Sequence, residues 1–146
     1  PSGWFSGVSG QEDPQRTWAQ ATPVNYQGTT VPGNGATATA IGWGYRNTRA
    51  IVAQGNTDTS TSAAALADSH TVTVSGVVYD DWFLPSKDEL AQLYSQKATV
   101  GVFVESTYWS SSEEPARSAY IHAFNYGYIG LMGKSLTSYV RPVRAF

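Results

Sequence analysis

A chain of 146 residues is long enough for one domain with a single core, and folding at this size buries about 70% of the surface exposed by the unfolded form. A net charge of −2, with only 14% charged residues, leaves no electrostatic footprint for nucleic acid. The absence of cysteine removes thiol nucleophiles, Cys-ligated zinc and disulfides together, and no apolar run reaches the roughly 18 residues that a membrane span requires. Nine Tyr, five Trp and 14 Gly, with many Ser and Thr, form the mixture of rigid rings and small hydrogen-bonding residues that binding surfaces favour.

Residues 1–45 carry Gly and Pro between short β-prone runs and show no helical period. The segment "RNTRAIVAQG" reads as a short helix capped by Asn47, with Ala50, Ile51 and Val52 apolar and Gly55 ending it. "TSTSAAALADSH" reads as a second helix, its alanines supplying propensity and its Ser and Thr residues available as caps. "TVTVSGVVY" follows as a strand or extended loop.

The firmest local signal is "LPSKDELAQLYSQK". Ser86 and Glu89 form a capping box, Pro85 ends the preceding extended segment, and Asp88 and Glu89 sit in the first turn. Lys97 closes the segment with a favourable charge, and Leu90, Leu93 and Tyr94 share the core face. Beyond it, "STYWSSS", "SAYIHAFNYG", "YIGLMGKSL" and "SYVRPVRAF" read as strands of an antiparallel meander, with Gly127, Gly130 and Gly133 at turns or bulges. In the second of these, Tyr120, His122, Phe124 and Tyr126 alternate with Ile121, Ala123 and Asn125, so one face is almost wholly aromatic. Pro142 implies an edge or bulge in the last strand. The fold class is α+β: short helices packed on an antiparallel meander.

Four motifs in order carry a resemblance to a known family. They are Asp81-Trp82-Phe83-Leu84-Pro85-Ser86 with Glu89-Leu90, then Tyr108-Trp109-Ser110-Ser111-Ser112-Glu113, then Ser118-Ala119-Tyr120 with Phe124, and finally Tyr139-Val140-Arg141-Pro142-Val143-Arg144. With "GYRNTRAIVAQ" upstream, the chain resembles the Legionella collagen-like adhesin C-terminal domain, also called the Fibrobacter major paralogous domain, well over residues 42–146 and loosely before. The resemblance implies a C-type-lectin-like fold with paired termini. It also implies a binding domain at the tip of a bacterial surface or phage-fibre protein, in some relatives following a trimeric stalk, with glycan or glycosaminoglycan ligands proposed. Residues 1–146 are then one binding domain, expected to be the C-terminal tip of a longer protein.

Catalytic chemistry finds little support in the residues. Formylglycine-generating enzymes share the wider fold but need a pair of active-site cysteines, which this chain lacks. No G-x-S-x-G accompanies the two histidines, His70 and His122. His70 reads as the C-terminal dipole partner of a helix. Glu113 or Glu114 with Glu105, Asp80 or Asp81 are the carboxylate pairs available to a glycosidase, yet neighbours on a strand point opposite ways. "EEPAR" lacks the amide oxygen of the lectin calcium motif, and no loop offers the six to eight oxygens that calcium takes. No metal and no cofactor is expected. The "NTDTSTS" run reads as a polar loop and helix cap.

The family pattern assigns Trp82, Glu89, Trp109, Glu113, Arg141 and Arg144 to the framework, the arginines tying strands or pairing with carboxylates such as Asp81 or Glu89. Ligand contact is expected from Glu114, Arg117, Tyr120, His122, Tyr126, Tyr128 and Lys134, with Met132 beside them, because rings stack on sugars or anchor protein hot spots. The expected function is a non-enzymatic extracellular recognition module binding a glycan or cell-surface protein, homotrimeric through its parent chain, with no nucleic-acid partner and no membrane insertion. A structural cap that trimerises a stalk, and a cryptic glycan hydrolase, are the alternatives.

Overall fold

The computed structural model describes residues 13–144. In chain order these form β1 (Gln15–Thr17), a 3-10 turn at Pro32–Asn34, α1 (Gly44–Gln54), α2 (Ala63–Ser69), β2 (Val72–Val74), β3 (Val77–Tyr79), α3 (Lys87–Ser95), α4 (Lys97–Val100), β4 (Thr107–Glu114), β5 (Ser118–Ala123), β6 (Tyr128–Gly133) and β7 (Thr137–Tyr139). The architecture is α+β: one five-stranded sheet, a separate two-stranded hairpin and four helices.

The large sheet has the order β1-β7-β4-β5-β6. β4, β5 and β6 form the antiparallel meander, and β1 pairs with β7 antiparallel, joining the two ends of the described chain. One expectation needs correction. β7 does not extend the meander; it crosses to the far side of β4 and pairs with it in parallel, so the sheet is mixed. It also stops at Tyr139, after which Val140 donates its N–H to the Pro14 carbonyl and Val143 bridges Phe83. Residues 145 and 146 of the expected alternation lie outside the described residues.

Both faces of the central strand are covered. Neighbours Tyr108 and Trp109 point to opposite sides and enter different cores. Trp109 joins Trp18, Ile51, Leu84, Ile121 and Val140 with the alanines of α2, while Tyr108 joins Phe83, Leu90, Leu93, Phe124 and Val143. A strand buried on both sides must satisfy its polar groups internally. Ser110 Oγ donates to the Tyr120 carbonyl at 2.8 Å, and Ser112 Oγ donates to Ala38 O at 2.7 Å while accepting from Lys87 N–H. The register with β5 shifts between Trp109 and Glu113, a bulge within the serine run.

Local chemistry sets the helices. Ser86 Oγ accepts from Glu89 N–H at 3.3 Å and Glu89 Oε1 accepts from Ser86 N–H at 2.8 Å, the reciprocal cap of α3. Ser62 caps α2 by accepting from Ala65 N–H. The cap expected at Asn47 is corrected: α1 begins at Gly44, and Asn47 is buried inside it, donating to the Ala38 carbonyl at 2.8 Å. The first position of α1 is a glycine, Gly44, where Phe83, the Leu84 carbonyl and the Glu89 carboxylate leave no room for a Cβ. "TVTVSGVVY" is a complete hairpin, β2 to β3, turning at Ser75 and Gly76, both with positive φ.

Candidate functional site

The framework residues are tied to the backbone or to charged side chains outside the set. Trp109 donates its indole N–H to Arg16 O at 2.9 Å, and Trp82 donates to Tyr79 O at 3.0 Å. Glu89, besides capping α3, accepts from Gly42 N–H. Arg141 holds Asp13 through two bonds of 2.8 Å, lies over the Phe103 ring and donates to Val102 O. Tyr108 donates to the same aspartate at 2.6 Å, and burial together with that carboxylate pushes its phenol well above the ordinary tyrosine range. Arg144 grips Asp81 at 2.8 and 3.0 Å above the Tyr79 ring. The ring of His70, at the end of α2, packs edge-on to Trp82.

Two residues expected at the binding surface are inside. Lys134, fully buried, pairs with Glu113 at 2.8 Å, donates to Thr29 O at 2.9 Å and sits 4.6 Å from the Trp18 ring centroid. Glu113 also accepts from Val31 N–H. The reason is topological. Lys134 lies in the crossover from β6 to β7, its N–H donating to Arg117 O and its carbonyl accepting from Trp18 N–H, so its side chain is carried into the interior. Burial lowers the pKa of its ammonium and Glu113 opposes that shift. His122, 4% exposed, stacks on Tyr94 at 4.5 Å, because α3 covers this half of the aromatic face. Burial holds its imidazole below the ordinary histidine range. Neither side chain is available to a ligand. Met132 is likewise drawn against the Trp109 core.

The remaining five separate into two groups at opposite ends of β5, a strand of six residues spanning roughly 20 Å at about 3.4 Å per residue. At one end, Tyr120 donates to Glu114 at 3.4 Å and carries the Lys87 ammonium 4.7 Å from its ring centroid; exposed Arg117 lies nearby, against Gly28. At the other, Tyr126 and Tyr128 flank the turn from β5 to β6. They are 79% and 54% exposed, with near-parallel rings 6.4 Å apart. Gly127 makes that turn with φ 77°, and Tyr94 Oη fills the space a side chain there would need.

The structure adds neighbours to this tyrosine tip. Lys97 places its ammonium 4.5 Å from the Tyr94 centroid and 3.4 Å from Phe124 O. It also lines a cleft of about 180 Å³ with Ala98, Gly101, Phe103, Val104, Glu105 and Phe124. In the sequence Lys97 looked only like the close of α3, and nothing marked Phe103 or Glu105 as its companions. A second exposed group, Trp43 under the Arg46 guanidinium at 5.1 Å with Ile41 and Tyr45, precedes and opens α1 and was not anticipated.

Glu113 and Asp81, two of the carboxylates suited to acid–base work, are held by cations, and the described residues contain no His, Asp and Glu cluster that would hold a metal ion. Residues 12–144 match the family described as the Lcl C-terminal domain. The chain belongs to that family. No curated protein matches it. Lcl C-terminal domains come from collagen-like adhesins rather than from a known enzyme family, which suggests an extracellular, adhesin-type role for this one. No helix among the described residues is long and apolar enough to cross a membrane.

Proposed function

We propose that this Lcl C-terminal domain is a non-enzymatic recognition module of C-type-lectin-like fold, displayed at the tip of a surface adhesin or fibre, that grips a glycan or cell-surface protein with its tyrosine tip. The observation that carries this reading is the Tyr126–Tyr128 pair: two large rings, near-parallel and open to solvent at a sheet turn. Exposed rings bury much apolar area at little conformational cost when they stack on a sugar face or enter a protein pocket. A cleft with Lys97 and Glu105 supplies a cation and an acceptor, linked to the tip through Tyr94, whose ring carries the Lys97 ammonium and whose hydroxyl meets Gly127.

The non-enzymatic reading is supported by the engagement of Glu113, Asp81 and His122 in packing and pairing. A glycan array and cell-binding assay comparing the wild type with Tyr126→Ala plus Tyr128→Ala tests the proposal. Loss of signal is expected, and equal signals would remove these rings from the site. Oligosaccharide hydrolysis by the pure protein, abolished by Glu114→Gln, would overturn the non-enzymatic reading.

A further inference from the structure

The two edges of the large sheet are unlike. β1 is three residues long and carries Arg16, which is fastened to the Thr59 carbonyl. β6 is six residues long, pairs with β5 through six consecutive partners without a bulge, and carries no charge between Tyr126 and Gly133. Sheet edges are ordinarily guarded by lysine, proline, a bulge or a covering element. Here the one lysine next to the strand, Lys134, is turned inward to Glu113. Ile129 and Leu131 stand exposed on this edge.

The hydrogen-bond parity of the edge follows from one bond. Lys134 N–H donates to Arg117 O at 2.8 Å. In an antiparallel ladder, inward and outward main-chain groups alternate. Counting in twos through the observed register, Met132 and Gly130 turn their N–H and C=O groups toward β5, and Ile129 and Leu131 turn theirs outward. The exposed apolar residues are thus the ones whose backbone faces away from the sheet.

We propose that β6 is a self-pairing edge: two copies of the domain join antiparallel through Ile129 and Leu131 into one continuous sheet, with the twofold axis at Gly130. The strand is self-complementary in this register. Ile129 of each copy faces Leu131 of the other as a hydrogen-bonded pair, and the four side chains form one apolar cluster on the face shared with Tyr120 and His122. On the opposite face the Tyr128 ring, which already leans over Gly130, lies beside the glycines at the axis. A net charge of −2 opposes the approach of two copies only weakly. An antiparallel edge pair closes after two copies, so this contact differs from the threefold assembly expected through a parent stalk. It leaves Tyr126 free and sets the two tyrosine tips at opposite ends of the joined sheet.

Sedimentation equilibrium of the chain from micromolar to millimolar concentration tests this. A monomer–dimer equilibrium is expected, and Leu131→Lys is expected to raise its dissociation constant about tenfold or more, with an unchanged thermal midpoint at dilutions where both chains are monomeric. The register has its own test, because the chain has no cysteine. At the axis the two residues at position 130 form a non-hydrogen-bonded pair with Cα atoms about 4.5 Å apart, within the disulfide range of about 4.4–6.8 Å. Gly130→Cys should therefore give a disulfide-linked dimer on mild oxidation, and Gly133→Cys should not. A chain that stays monomeric, a trimer by mass, a dimer indifferent to Leu131→Lys, or equal cross-linking of the two cysteine variants overturns the proposal.

Discussion

β4 and β6 lie two places apart in one sheet and invert the usual distribution of residues. The buried central strand carries three serines and Glu113, and the exposed edge strand carries Tyr128, Ile129 and Leu131. In β4 the polar groups persist inside because each has a partner: the Tyr120 carbonyl for Ser110, the Asn47 amide for Ser111, the Ala38 carbonyl for Ser112, and Lys134 with Val31 for the glutamate. In β6 the apolar groups Tyr128, Ile129 and Leu131 stay largely exposed, with no element among the described residues closing over them. The first arrangement secures one fold, since a half-satisfied polar interior would be costly. The second leaves surface free for a partner.

The sharpest way to break this contrast is to unbalance the interior pair. Lys134→Met leaves the Glu113 carboxylate buried without its cation and should cost about 3–5 kcal/mol, read as a fall in the urea midpoint. Adding Glu113→Gln should recover much of that loss. A single variant as stable as wild type would mean the pair is not the interior anchor that the geometry indicates.

A smaller effect lies where interior and surface share one aromatic face. His122 resists protonation because it is buried beneath Tyr94, so its folded pKa lies below the ordinary value of about 6.5. In the window between those two values the unfolded chain binds more protons, and stability falls as pH drops through it. Unfolding free energy should therefore decline as the pH falls below about 6.5, and His122→Phe should flatten that slope. An unchanged slope would assign the pH dependence to another group.

The smallest change is expected at the tip. Tyr126→Ala with Tyr128→Ala should alter stability by no more than about 0.5 kcal/mol, as exposed substitutions generally do. A fall of several times that amount in thermal or urea melts would make the pair part of the scaffold.

Much of the architecture was legible because its signals are local. The Ser86–Glu89 capping box, Gly55 at the end of α1, the alanine-rich α2 and the alternation of β5 each act over a few residues. The hairpin at Ser75-Gly76 was legible too, as a two-residue turn between β-branched runs, but was read only as extended chain. The site was less legible. A lysine after a glycine, as in "GKS", resembles a turn residue, and its partner Glu113 lies 21 positions away. Alternation correctly set His122 on the same face as Tyr120, yet could not reveal that α3 covers only part of that face.

By itself the sequence determined the local elements, the family, the α+β class and the absence of cysteine chemistry. Those properties depend on residue type and short spacing. Only the tertiary structure decided which charges and rings face water. It routed Lys134 inward through the β6–β7 crossover, shut His122 under Tyr94 and left Tyr126, Tyr128 and the β6 edge open. Exposure depends on what distant segments cover, and strand spacing carries no record of that.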